Sequence, residues 1–157
     1  MKSAISRRTF AKGLAGTAAA LGGLGIAGCI DNAASGSAAS SGTTYRIGVL
    51  QLTQHSALDA ANEGFIRALD ESGISYEADQ QNANNEQSAC TTIASTFVND
   101  GVDLILAIAT PAAQACLNAT TEIPIVGTAI TDFAESGLVE SNDAPGGNLT
   151  GTSDMNP

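Results

Sequence analysis

The sequence predicts an α/β domain built on a doubly wound parallel sheet with flanking helices. Three observations carry this. From residue 45 onward, short β-rich apolar runs alternate with stretches of helical spacing, in the order β-α-β-α-β-α-β. One run, Val102 to Ala109, is apolar almost without a break, as in a central parallel strand buried on both faces. The composition is 43% hydrophobic, rich in Ala, Ile, Val and Leu without Trp, which suits a compact α/β core and not a disordered chain.

Tyr45 to Leu50 is β-rich and comes directly after a polar stretch, so it is the first strand. Ala57 to Ser72 places Leu58, Ala61, Phe65, Ala68 and Leu69 on one helical stripe, with Ser56 as the expected N-cap and Gly73 as the stop. Ile74 to Ala78 is a weaker strand, and Asn82 to Asn85 a polar turn. Glu86 to Asn99 is a second helix whose inner face is Cys90, Ile93, Ala94 and Phe97. After the central strand, Pro111 to Thr120 is a third helix with Pro in its first turn. Ile123 to Ala129 is another core strand. Beyond Ile130 the pattern weakens to a turn at Asp143 to Asn148 and one further strand from Leu149 to Asp154. Right-handed crossovers between parallel strands put helices on both faces of the sheet.

The first 44 residues stand apart. Residues 1–29 have the form of an export leader, with Arg7 and Arg8 followed by an apolar residue and a lysine. The run from Gly13 to Gly28 is too short and too rich in Gly to span a bilayer. It closes on Ile26-Ala27-Gly28-Cys29, which resembles a lipobox, although Ile26 stands where Leu is usual. Arg7-Arg8 within Ser6 to Lys12 resembles the twin-arginine export motif, which implies a body folded before it crosses the membrane. Cys29 is then the expected lipid attachment point, and the location extracytoplasmic, lipid-anchored to the cell membrane. Residues 30–44 are nearly all small and polar, a flexible tether reaching on the order of 20 Å. Residues 45–157 form the folded body.

Charge and cysteines narrow the function classes. The chain has six cationic and sixteen acidic residues, and four of the cations lie in the leader. The tether and body together hold about −14 of formal charge, which repels nucleic acid and anionic lipid. Setting Cys29 aside leaves Cys90 and Cys116, on neighbouring helices. An extracytoplasmic location allows a disulfide between them, and two separate buried thiols fit equally well.

Ligands of open parallel sheets bind beyond the carboxyl ends of the strands. Three segments fall there: Gln51 to Leu58 with His55, Ala109 to Ala113, and Ala129 to Phe133 with Thr131 and Asp132. Thr110-Pro111-Ala112-Ala113 opens a helix straight after the central strand. Its free amides and dipole favour an anion such as a carboxylate, and the small side chains keep the approach open; an ordinary Thr-capped helix is the plainer alternative. Asp132 would pair with an ammonium group in a cleft, or cap the next turn. His55 is the only histidine, so no metal site is expected around it. It either bonds a ligand or is a polar loop residue. There is no GxGxxG, no P-loop and no GxSxG elbow, the Cys90–Cys116 spacing is not CxxC, and no acid and base pair up. Binding without chemistry or cofactor is the expectation.

Several stretches resemble one family of ABC-transporter substrate-binding proteins, a branch that includes tryptophan- and tyrosine-binding lipoproteins. They are Gly48 to Leu52, His55, Ala57 to Ala61 with Gly64-Phe65, Asp103 to Ala115, Ile123 to Val126, Gly137 to Val139 and Pro145 to Gly151. The chain departs from that family at Phe133, where Pro is usual after the aspartate. The resemblance implies one lobe of a type I periplasmic-binding fold, whose ligand is clamped between two lobes. It implies ligand contacts at Gln51, His55, Leu58, Ala109, Thr110, Ala112, Ala129, Thr131 and Asp132. The implied ligand is a small solute, an amino acid with an aromatic one included, and the implied partners are the permease and ATPase subunits of an importer. Members run to about twice this length, so the chain is expected to be a truncated receptor without its second lobe and to bind solute weakly or not at all alone. A sensor ectodomain of the same fold without transport, and a fragment without function, are the alternatives.

Overall fold

The computed structural model describes residues 43–154. The leader with Arg7, Arg8 and Cys29, and most of the tether, lie outside the described residues. The described part runs β1 (Tyr45–Gln51), α1 (Ser56–Ser72), β2 (Tyr76–Asn82), α2 (Gln87–Asp100), β3 (Leu104–Ile108), α3 (Thr110–Ala119), β4 (Ile125–Ile130) and β5 (Leu149–Ser153). All five strands are parallel and their order is β2-β1-β3-β4-β5. The expected α/β sheet is therefore present, with its topological switch between β1 and β3, where the strand order reverses.

Alternation along the strands sorts the apolar side chains into two clusters, one per face. Ile47, Val49, Leu106 and Ile108 face α1, which packs Leu58, Phe65, Ile66 and Leu69 on them. Leu50, Ile105, Ala107 and Ile125 face α2 and α3, which contribute Cys90, Ala94, Phe97, Ala112, Ala113 and Cys116. The inner stripe predicted for the second helix is thus the observed one, with Ile93 half-buried at its edge. α1 has no fully buried residue, because it is the only described helix on its face.

Two helix starts differ from expectation. α1 is capped by His55 and not Ser56: His55 has extended backbone, and its Nδ1 accepts a hydrogen bond from the Ala57 amide at 3.3 Å. α3 starts after Ala109, which has no side chain with which to cap, and Thr110 is already helical. Gly73 ends α1 in the left-handed conformation, as its sequence position implied. β2 runs past Ala78 to Asn82, because it pairs residue by residue with β1 from Tyr45–Tyr76 to Gln51–Asn82. Pairing overrides the weak β preference of its polar end.

No helix joins β4 to β5. The connecting loop instead buries Phe133 and Leu138 on the α2/α3 face, so two side chains take the place of a helix. Cys90 and Cys116 are free thiols buried in that same cluster. Burial, with the Cys90 thiol nearby, pushes Cys116 up to about 12, so it stays protonated and unreactive.

Candidate functional site

The carboxyl ends of β1, β3 and β4 converge through backbone hydrogen bonds. The Leu52 amide donates to the Ile108 carbonyl at 3.3 Å, and the Ala109 amide donates to the Thr128 carbonyl at 3.0 Å. The three segments picked from the sequence are therefore neighbours on one end of the sheet. The Ala83 amide donates to the Gln51 carbonyl at 2.9 Å, which ties the end of β2 to the same surface.

Backbone conformation marks this end. Four glycines among the described residues have positive φ, as their lack of Cβ allows, and Asn84 and Asn85 tolerate it as well. Two alanines share it: Ala109 at φ 87 and ψ 154, and Ala129 at φ 55. Ala109 directly follows β3 and Ala129 lies near the end of β4, both at the candidate site. Such strain costs about 1–3 kcal/mol per residue and clusters where ligands bind.

The predicted residues are placed differently from one another. Ala109, Thr110 and Ala129 are half-buried and Thr131 is exposed, all at the strand ends. Ala112 is a correction: its methyl is fully buried in the core beneath α3, so it offers a ligand no side-chain contact. Leu58 is half-buried and packs inward on the α1-side cluster. His55 is exposed and engaged in capping α1.

Asp132 spends its carboxylate on the loop. Its Oδ1 accepts from the Glu135 amide at 2.9 Å and from Asn142 Nδ2 at 3.0 Å, while Asn142 Oδ1 accepts from the Ala134 amide at 3.0 Å. The Glu135 amide first, then the Asn142 side chain, hold the Asp132 carboxyl below its ordinary value. This geometry shows Oδ1 capping the loop.

Gln51 is the one polar side chain buried to within 4% exposure among the described residues. Its Nε2 donates to the Thr53 carbonyl at 2.8 Å and to Asp59 Oδ1 at 2.6 Å, and its Oε1 accepts from Asn62 Nδ2 at 3.3 Å. Asp59 and Asn62 were not among the residues predicted from sequence. The signal for them was present: polar residues three apart on the inner side of α1, where the pattern asks for apolar ones. These residues line a hollow of about 190 Å³ at the ends of β1 and β2.

A strand-end surface on a parallel sheet with a switch point defines a ligand-binding α/β domain. A family model described as ABC transporter substrate binding protein matches residues 46–157, and the chain belongs to that family. It is 52% identical over 112 residues to a tyrosine-binding protein of Clostridioides difficile (strain R20291), an alignment that covers 69% of this chain and 32% of that protein. A ligand-free, open substrate-binding protein with adhesive properties from Clostridium difficile superposes with TM-score 0.70 at 46% identity, covering 71% of this chain and 39% of that one. A protein from Streptococcus pneumonia in complex with L-Trp superposes with TM-score 0.70 at 40% identity, covering 73% and 40%. The chain therefore spans about a third to two fifths of the length of these relatives.

Proposed function

We propose that this chain captures an amino acid with an aromatic side chain at the strand-end surface and serves an ABC importer. Its likeness to a tyrosine-binding protein and to an L-Trp complex carries the reading. The converging ends of β1, β3 and β4, with their strained alanines, support it by offering a preorganised surface. In this reading Arg7-Arg8 direct export, Cys29 carries the lipid, and residues 30–44 let the domain dock on the outer face of a permease whose ATPase partner lies in the cytoplasm.

Two measurements test it. Amide NMR of the chain titrated with L-tyrosine and L-tryptophan is expected to perturb Leu52, Ala109, Thr110 and Thr131, with glycine much weaker. Shifts scattered over the molecule, or none, would overturn capture at this surface. For the anchor, Cys29→Ala is expected to release the protein from the membrane fraction, and Arg7→Lys together with Arg8→Lys to hold it in the cytoplasm. Unchanged fractionation of the Cys29→Ala protein would sink the lipid-anchor assignment.

A further inference from the structure

The start of α1 hangs on one lone pair. A backbone amide can only donate, so the His55 Nδ1 that accepts from the Ala57 amide is unprotonated, and the ring's proton sits on Nε2. The charged ring cannot make this bond, because both of its nitrogens are donors. Among the described residues no other side chain bonds an amide of that first turn. The turn is linked to the strand ends. The Asp59 amide donates to the His55 carbonyl at 2.8 Å, and Asp59 Oδ1 accepts from the buried Gln51 Nε2 at 2.6 Å. The Leu52 amide, next along the chain, donates to the Ile108 carbonyl at 3.3 Å. The sheet residues that α1 packs on are uncharged, Ile47, Val49, Leu106 and Ile108 among them. The one titratable group there, Tyr76, bonds Asp70 in the last turn of α1. Leu52, Thr53 and Gln54 before the cap carry no charge. α1 itself brings Asp59 and Glu63 in its first two turns, and Asp132, beyond β4, is held by the Glu135 amide and Asn142.

From this we infer that His55 is a pH-sensitive cap. Neutral, it fixes the first turn of α1 and, through Asp59 and Gln51, the strand-end loop from Leu52 to Gln54; protonated, it lets that turn fray. Histidine is the side chain that changes charge between about pH 5 and 8, and this chain has one. A proton taken up from solvent at Nδ1 turns the acceptor into a donor facing the Ala57 N–H. The charge it brings stands at the positive end of the helix dipole, which opposes the turn again. His55 is exposed, so the proton reaches it without unfolding. Where the strand-end surface captures an amino acid, as proposed above, acid weakens the capture; that consequence rests on the solute-capture reading, whereas the cap does not.

The test follows two NMR signals of the full chain as the pH falls from about 8 to about 5. The His55 ring carbons report its charge, and exchange of the Ala57 amide, corrected for the intrinsic rate, reports the cap. Protection of Ala57 is expected to drop about fivefold in step with protonation of the ring, the loss of one cap. His55→Asn, which caps without titrating, is expected to keep that protection across the range, and His55→Ala to lack it throughout. Protection indifferent to the charge of the ring, or a drop of equal size in His55→Asn, would overturn the switch. A second arm measures the affinity for L-tyrosine at both ends of the range. Affinity several times weaker in acid, with the pH dependence gone in His55→Asn, supports the coupling to capture; equal affinity at both ends overturns that coupling. Loss of Ala57 protection without any tyrosine response would leave the cap standing and overturn the solute-capture reading alone.

Discussion

At the scale of single residues, the strand ends separate strain from satisfaction. Ala109 occupies a conformation, φ 87 and ψ 154, that glycine adopts freely and alanine does not. Ala109→Gly should relieve that strain by more than it frees the unfolded chain, giving a net gain of about 1 kcal/mol. Denaturant unfolding measures this, and a loss of stability would mean the methyl is held by packing worth more than the strain. Asp132 makes a prediction of opposite character. Its folded value is depressed, so its contribution to stability is present above the ordinary aspartate range and is lost as pH falls through the folded value. A carboxyl-carbon titration should therefore place its midpoint below that of aspartate in an unstructured peptide. As the pH falls through that midpoint, the Glu135 amide should lose protection from exchange. A midpoint at or above the peptide's would refute the capping role.

At the scale of elements, the two faces of the sheet depend on different residues. Gly48 in β1 lies under Phe97 of α2: a Cβ added there would stand 2.6 Å from the ring. Gly48→Ala must push the ring from a filled core and should cost about 1–3 kcal/mol. Shortening the ring should recover part of that cost, so Phe97→Leu is expected to destabilise the Gly48→Ala background less than the original. Additive losses would show that the strand, and not the ring, absorbs the clash. This contact also marks what the sequence makes legible. The Cys90, Ala94 and Phe97 stripe follows from helical period alone, and the continuous apolar run of β3 follows from burial on both faces. The far half of β2 does not, because Asp79, Gln80, Gln81 and Asn82 are polar and become strand only by pairing with β1. The same holds for the site. Strand-end loops can be located from the order of elements, but the partners each carboxylate takes cannot. Asp132 Oδ1 accepts from Asn142, ten residues on, and Asp59 Oδ1 accepts from the buried Gln51, eight residues back.

At the scale of the whole molecule, the charge distribution sets a condition on stability. Residues 30–157 hold two cations, Arg46 and Arg67, against all sixteen acids. Arg46 is tied to the Asp100 carbonyl at the end of the sheet opposite the site. Folding draws the acids together, and their mutual repulsion works against the compact state. Screening should weaken that repulsion, since the Debye length falls from about 30 Å at 0.01 M salt to about 8 Å at 0.15 M. The melting temperature is therefore expected to rise with sodium chloride over this range. Tetramethylammonium chloride should raise it by a similar amount, because screening depends on charge and not on N–H donors. A melting temperature indifferent to both salts would show that the acids are too well solvated, and too far apart, to oppose folding.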